Sequence, residues 1–459
     1  MNNKWTLLII FDKIVFVNRE GENNMKNLDD IRPKKKKKKR KLKKKVYVIL
    51  LIFLLMIGGG SYYFINERNI QKKKDDEERI LSNIKSHYNE FVKVDKDTKL
   101  YIKDNDKYID AGMIYENEEL VLDKIDINLD TKYFPIKDKD YFIAYHDVSK
   151  IDKMTEPSDR YKNYIPFNEN IVTNSEFTLY DNDKKVITLN DEKEFPIIIK
   201  DYENKYFIEY DNRLLSIKKE EVKETKKSNN TTKKNQSKIT TFAYHRIYDT
   251  NDKCTDSYIC LKKASFDKQM KYLSDNNYFT LNMKEMYMYL KGNLQIEKGV
   301  VITFDDGYLY KAADEVLSKY KLTGTMFVIT GHFKDYTDFH ILSSINLESH
   351  TDSMHKNYQC SGGNQGGAIL CAGHDKIVKD LKLSCEKLGI EPFALAFPFY
   401  DYNDAAIKAL KDAGFKISFI GRGGKMGKAT PKVTDTYKVP RMTVWNDNLM
   451  SFNTWKSYL

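Results

Sequence analysis

Beyond Lys45 the chain has no surplus of either charge. Its entire formal +11 lies between Lys26 and Lys45, where thirteen basic and two acidic residues sit, and residues 1–25 sum to zero. Elsewhere Lys is interspersed with Asp and Glu as on an ordinary solvated surface, which argues against a nucleic-acid partner. Cysteine is scarce, five in 459 residues, and no two stand at the C-x2-C spacing of thiolate zinc sites. The glycines of Ser361–Gly367 are not followed by G-K-S/T, so they do not form a phosphate loop. No His follows His374. Residues 223–238 contain no apolar side chain, cannot pack, and predict a flexible linker over 223–239.

What is present divides the chain. Its length predicts two or three domains. The basic run Lys34–Lys45 is followed by Val46–Ile65, twenty residues without a charge, which as a helix span roughly 30 Å, a bilayer core. The flanking Lys/Arg predict residues 1–45 as a cytoplasmic tail touching anionic lipid, residues 46–65 as a single membrane span, and an extracellular remainder. A cleaved signal peptide is the alternative, since Gly58–Ser61 is rich in small residues. Residues 1–24 make a poor start for a membrane protein, and Met25-Lys26 is the more natural beginning. Residues 66–91 carry Ile and Leu at helical spacing among charges, a stalk helix. Over 92–222 short Tyr/Ile/Phe-rich runs are broken by Asp-Asn and Asn-Asp pairs, which predicts many short strands. A weak repeat pairs Leu100–Lys107 with Leu179–Lys184, and Tyr141–Tyr145 with Tyr206–Tyr210. The texture is similar to bacterial SH3-like wall-associated modules; a β-rich spacer without a ligand is the competing reading.

Residues 240–459 alternate strand and helix patterns, which implies an α/β domain with a parallel sheet or barrel and helices outside. Strands are expected at 240–244, 300–304, 325–329, 393–397, 416–420 and 437–444, and helices at 265–275, 283–290, 311–320, 375–388 and 403–413. Ligands collect at the C-terminal ends of such strands. All five cysteines lie here, and outside a membrane Cys254–Cys260 and Cys360–Cys371 read as local disulfides, leaving Cys385 a buried free thiol.

Two clusters carry chemistry. Thr303-Phe-Asp-Asp-Gly307 ends an apolar run, and adjacent carboxylates are costly unless a metal or a proton holds them. Some 45 residues later, Ser349-His350-Thr-Asp-Ser-Met-His355 supplies two imidazoles. Two His and a carboxylate around one divalent ion, with positions left open, is a recurrent hydrolytic arrangement.

These motifs resemble the NodB-like polysaccharide deacetylases, carbohydrate esterase family 4, across residues 240–459. The resemblance implies a distorted (β/α) barrel, with Asp305 as general base and Asp306, His350 and His355 as ligands of one divalent metal, zinc or else Co2+, Ni2+ or Mn2+. Departures from the family pattern are equally specific. The spacing is His-x4-His rather than His-x3-His; on a regular helix that pair would point about 140° apart, so a loop is required. The third motif appears as Ala396-Phe-Pro-Phe-Tyr400, without Arg; the aligned Phe399 can still offer a backbone N–H to an oxyanion. The late catalytic His is absent. Phe242-Ala-Tyr-His-Arg-Ile247 is similar to the opening of the poly-N-acetylglucosamine branch and nominates His245 as general acid. Arg441 is expected to orient Asp305, with Arg246 the weaker candidate. Gly421-Arg-Gly-Gly424 reads as a turn.

The expected function is metal-dependent removal of N-acetyl groups from N-acetylglucosamine residues of a wall polysaccharide. Peptidoglycan is the first substrate and a poly-N-acetylglucosamine exopolysaccharide the second. The rival from another class is a non-catalytic wall-binding protein with a decayed deacetylase domain.

Overall fold

The computed structural model describes residues 6–10, 13–17, 44–228, 233–249, 252, 254, 258–421 and 428–459. Most of the basic tail, the Met25 start and the turn after Gly421 lie outside the described residues. The chain divides into two units, Met1–Glu77 and Glu78–Leu459. In the first, a short antiparallel ladder pairs Thr6–Ile10 with Lys13–Val17, and one helix, Lys44–His87, begins and runs on into the second unit. This helix is long and apolar enough to cross a membrane. Every side chain from Val46 to Ile65 is exposed, as expected of a surface that protein does not cover. The stalk expected to reach Phe91 ends at His87. Its last turns belong to the next layer, with Ile84 buried and His87 Nδ1 2.8 Å from the Val148 carbonyl.

Residues 91–227 form two β modules built on one plan. In the first, a three-stranded sheet orders Glu119–Val121, Phe91–Val94 and Val148–Lys150; in the second, Glu194–Pro196, Glu169–Thr173 and Val222–Lys227 take the equivalent places. Each last strand follows a single 3-10 turn, Tyr145–Asp147 or Lys219–Glu221. The remaining strands join in one nine-stranded sheet through the pairing of Ile114 with Ile187. The Leu100/Leu179 echo falls on equivalent strands. The Tyr141/Tyr206 echo does not: Phe142–Ala144 corresponds by pairing to Arg213–Lys218, and Lys205–Tyr210 is the hairpin partner before it. The polar segment expected to be linker from residue 223 is strand as far as Lys227, because Glu224–Lys227 pair with Glu169–Val172 at a sheet edge where no side chain need be buried.

In the last domain seven strands close into a parallel barrel, here labelled β1 (Ile239–Tyr244), β2 (Gly299–Asp306), β3 (Gly324–Val328), β4 (Ile345–Ser349), β5 (Ala394–Ala396), β6 (Ile417–Gly421) and β7 (Val439–Thr443). Each pairs with the next, and β7 closes on β1 at Phe242/Met442 and Ala243/Thr443. All residues of β1, β2 and β3 are buried, the continuous apolar texture of strands covered on both faces. Val300, Ile302 and Phe304 pack outward with Phe266 and Leu317 of the helices Lys263–Asp275 and Lys311–Lys319. Val301 faces inward among Phe327, Phe419 and Val439. Cys254–Cys260 and Cys360–Cys371 are disulfides, and Cys385 is free and buried.

The strand missed in the sequence is β4, the one that leads to His350. Its Ile345-Asn-Leu-Glu-Ser run is half polar, yet Glu348 and Ser349 are buried: Glu348 accepts the Ala394 N–H at 2.9 Å, and Ser349 Oγ donates to Ser384 Oγ at 2.9 Å. Burial pushes the Glu348 carboxyl up to about 8.

Candidate active site

Strand alternation would send Asp305 and Asp306 to opposite faces of β2. Thr303 and Asp305 continue the inner row begun by Val301 and reach the mouth at the C-terminal ends of the strands. Asp306 escapes the outer face because it adopts φ 75°, the left-handed region, which typically costs about 1–3 kcal/mol for a non-glycine residue. Gly307 follows at φ 92°, where an added Cβ would lie 3.2 Å from both Phe333 and Val328. This double bend brings the second carboxylate over the mouth beside the first.

The imidazoles come from the loop after β4. His350–His355 is not helical, as the His-x4-His spacing requires, and Thr351 also takes a positive φ of 72°. The loop is fastened from behind. Asp380 accepts the N–H groups of Asp352 and Ser353 at 2.8 and 2.9 Å, and Asp352 accepts from Thr330 Oγ1 at 2.7 Å and Lys387 Nζ at 2.5 Å. His350 Nδ1 sits 2.7 Å from the Ala396 carbonyl, which can only accept, so Nδ1 carries the proton and Nε2 keeps its lone pair. Nε2 of His350 and of His355 lie 3.8 and 3.5 Å from Asp306 Oδ1, and one ligand atom from each of the three residues lies within 4.8 Å of the others. Burial pushes both imidazoles down to about 4, leaving them neutral at physiological pH. A carboxylate and two neutral imidazoles with free lone pairs are a donor set that fits one divalent ion.

Asp305 is 3% exposed and held by both arms of Arg441, Nη1 to Oδ1 at 2.7 Å and Nη2 to Oδ2 at 2.8 Å. Burial alone would raise the Asp305 carboxyl. The charge of Arg441, then that of His350, then the Arg441 hydrogen bonds outweigh it and hold the group well below the usual carboxylate range. Arg441 in turn lies between the rings of Phe327 and Tyr400, at 5.6 and 5.2 Å. His245 follows β1 closely enough for its charge to depress Asp305 too, and its Nδ1 is buried without a partner. Phe399 stands across the mouth, its ring 4.2 Å from that of His355, in a turn where both Phe399 and Tyr400 have positive φ.

Sequence comparison bears on this geometry directly. A family model described as polysaccharide deacetylase matches residues 293–418, from before β2 to within β6. A poly-β-1,6-N-acetyl-D-glucosamine N-deacetylase of Staphylococcus epidermidis is 30% identical over 202 residues, 40% of this chain and 67% of the relative. The chain belongs to the polysaccharide deacetylase family. A Staphylococcus aureus enzyme of the same name is 29% identical over 208 residues, 41% of this chain and 68% of that one. Among solved structures the deacetylase is similar to IcaB from Ammonifex degensii, with 21% identity and a TM-score of 0.41 over 50% of this chain and 99% of the other. A polysaccharide deacetylase from Bacillus cereus matches with 17% identity and a TM-score of 0.40 over 73% and 97%.

The deacetylase fold thus gathers Asp305, Asp306, His350, His355, His245, Phe399 and Arg441 at one mouth. Arg246 is not on Asp305; its guanidinium lies over the Tyr308 ring at 5.3 Å. Sequence reasoning passed over His332, whose Nδ1 is 3.2 Å from Tyr308 Oη and whose ring is 6.3 Å from that of His355. It also passed over Asp352, Asp380 and Lys387, since a helix residue that braces a distant loop leaves no local motif.

Proposed function

We propose that this deacetylase hydrolyses the N-acetyl groups of a poly-β-1,6-N-acetylglucosamine, releasing acetate and leaving free amines. The observation that carries the reading is the convergence of Asp306, His350 and His355 beside the ion-paired Asp305. The polymer is taken from the names of the staphylococcal relatives, which moves it ahead of peptidoglycan. A divalent cation at the three ligands, zinc first and Co2+, Ni2+ or Mn2+ as substitutes, would polarise the acetamide carbonyl and bring the pKa of water toward ~7. Asp305 accepts the proton of the water that adds to the amide carbon. Arg441 keeps that carboxylate ionised and aimed, and also makes it a weak base, so it works only on strongly acidified water. The Phe399 N–H donates to the developing oxyanion, and His245 gives a proton to the nitrogen as the C–N bond breaks. Acetate and a glucosamine amine leave.

The apolar helix and the basic residues before it support a membrane anchor with the catalytic unit outside the cell. The shared strand plan of residues 91–227 supports SH3-like modules between anchor and barrel. That architecture favours one second reading, peptidoglycan as substrate, because it holds the barrel near a wall. Acetate release from both polymers, with and without a chelator and against an Asp305→Asn control, separates the readings. Release from poly-β-1,6-N-acetylglucosamine that stops with the chelator and in the control is the expected result. Tight metal binding without acetate from either polymer would instead identify a non-catalytic wall-binding protein.

A further inference from the structure

The loop between Cys360 and Cys371 and the turn Pro398–Tyr400 are separate in sequence and joined in space by one side chain. Asp401 is 1% exposed. Its carboxylate accepts the backbone N–H of Asn364, that of Gln365 at 3.2 Å and that of Gly367 at 2.7 Å. Asn364 answers from the loop: its side-chain Nδ2 donates to the carbonyls of Phe399 at 3.2 Å and Tyr400 at 3.3 Å. The approach is close enough that a Cβ at Gly363 would collide with the carboxylate and one at Gly367 would sit 3.1 Å from its Oδ2. On the other side Tyr400 is plugged into the barrel, with its Oη 2.7 Å from Thr443 Oγ1 and its ring against Gly421.

Between these ties stand two consecutive non-glycine residues in the left-handed region, Phe399 at φ 55° and Tyr400 at φ 61°. Such a pair persists only where its surroundings over-determine it. The Tyr400 plug fixes the C-terminal half of the turn. The direction of the Phe399 peptide is fixed by the loop, acting through Asn364 and Asp401.

We propose that Asp401 is a positioning residue for the deacetylation, locking the disulfide-pinned loop onto the turn so that the Phe399 N–H points at the oxyanion. This rests on the role given to Phe399 above. An oxyanion donor acts only when held in place before the reaction, and loss of one costs about 10²–10³ in kcat; misdirection costs less. Asp401 touches neither metal ligands nor Asp305, so its removal spares the cation and the base.

The test uses the full chain with metal bound. Asp401→Ala is expected to lower kcat about 10- to 100-fold with little change in KM and unchanged metal content, while Asp401→Asn, which keeps one acceptor oxygen, retains part of the rate. Asn364→Ala, which leaves the carboxylate in place, provides a milder variant should Asp401→Ala fold poorly. Hydrogen exchange is expected to quicken in peptides covering 397–402 and to stay unchanged in those covering 350–356. Wild-type kcat in Asp401→Ala and Asn364→Ala, or a loss matching the loss of bound metal, would contradict the positioning role while leaving the deacetylase reading intact. A wild-type enzyme that releases no acetate, beside the unchanged Asp305→Asn control, would sink that reading and this inference with it.

Discussion

Two buried arginine–carboxylate pairs sit at opposite ends of the barrel, and they differ in what surrounds them. At the closed end, Arg160 from the segment after the first β module grips Glu285 with Nε at 2.6 Å and Nη2 at 2.5 Å. Glu285 also takes the Tyr164 hydroxyl at 2.6 Å and the Asn282 N–H at 2.8 Å, and Arg160 donates to the Thr280 carbonyl. At the mouth, Asp305 has Arg441 alone among strong donors, and Arg441 Nε, His245 Nδ1, Arg246 Nε and Thr351 Oγ1 are buried without partners. Buried polar groups are normally satisfied, and departures concentrate where function needs them. The same chemical pair is a rivet at one end and a poised carboxylate at the other; unmet hydrogen-bonding capacity, rather than the ion pair itself, distinguishes them.

The comparison breaks most visibly if the two carboxylates are neutralised in turn. Asp305→Asn is expected to cut acetate release by about 10³ or more while Tm changes little, whereas Glu285→Gln leaves kcat within a few-fold and lowers Tm. Equal rate losses would erase the distinction. His350→Ala or His355→Ala should abolish stoichiometric metal, measured by elemental analysis. Because protons reach these imidazoles only near their depressed value of about 4, bound metal should survive dialysis at about pH 5.5 and be lost near pH 4. The arginines sharpen the contrast next. Arg160→Met strands a buried carboxylate and should cost about 3–5 kcal/mol in denaturant unfolding with activity kept below the transition. Arg441→Met should cost stability too, and in addition shift the pH–rate profile, because Asp305 loses the cation that holds it ionised.

The smallest expected effect concerns Glu348, outside both pairs. Its carboxyl holds a proton in the folded chain up to about pH 8, where the unfolded chain releases it from its ordinary value of 4.5. Wild-type stability therefore falls as pH rises through that window. Glu348→Gln cannot ionise, so its Tm should exceed wild type by a few degrees at about pH 8 and match it at low pH. No difference at pH 8 would mean that Glu348 is already solvated.

The barrel was legible because its strands and helices are strongly periodic and locally consistent; β2 and the helix His374–Leu388 fall within a residue or two of their sequence limits. The paired carboxylates, the two imidazoles and both disulfides were legible because each lies in a short stretch. β4 was hidden by Asn346, Glu348 and Ser349, which are polar in sequence and satisfied only by partners in β3, β5 and the neighbouring helix. Asp306 gave no hint of its left-handed backbone. Nor did Asp401, Asp380 or Arg160, since each acts on residues at least 27 positions away. The strand Val222–Lys227 was hidden for the opposite reason: an edge strand held by backbone bonds needs no apolar side chain.

The most direct measurement is anomalous diffraction at the zinc edge from crystals grown with the metal. The expected map has a single strong peak about 2.0–2.2 Å from Asp306, His350 and His355 at once. A map with no peak there, or with the three side chains splayed beyond reach of one ion, would contradict the shared metal site from which the hydrolytic reading starts.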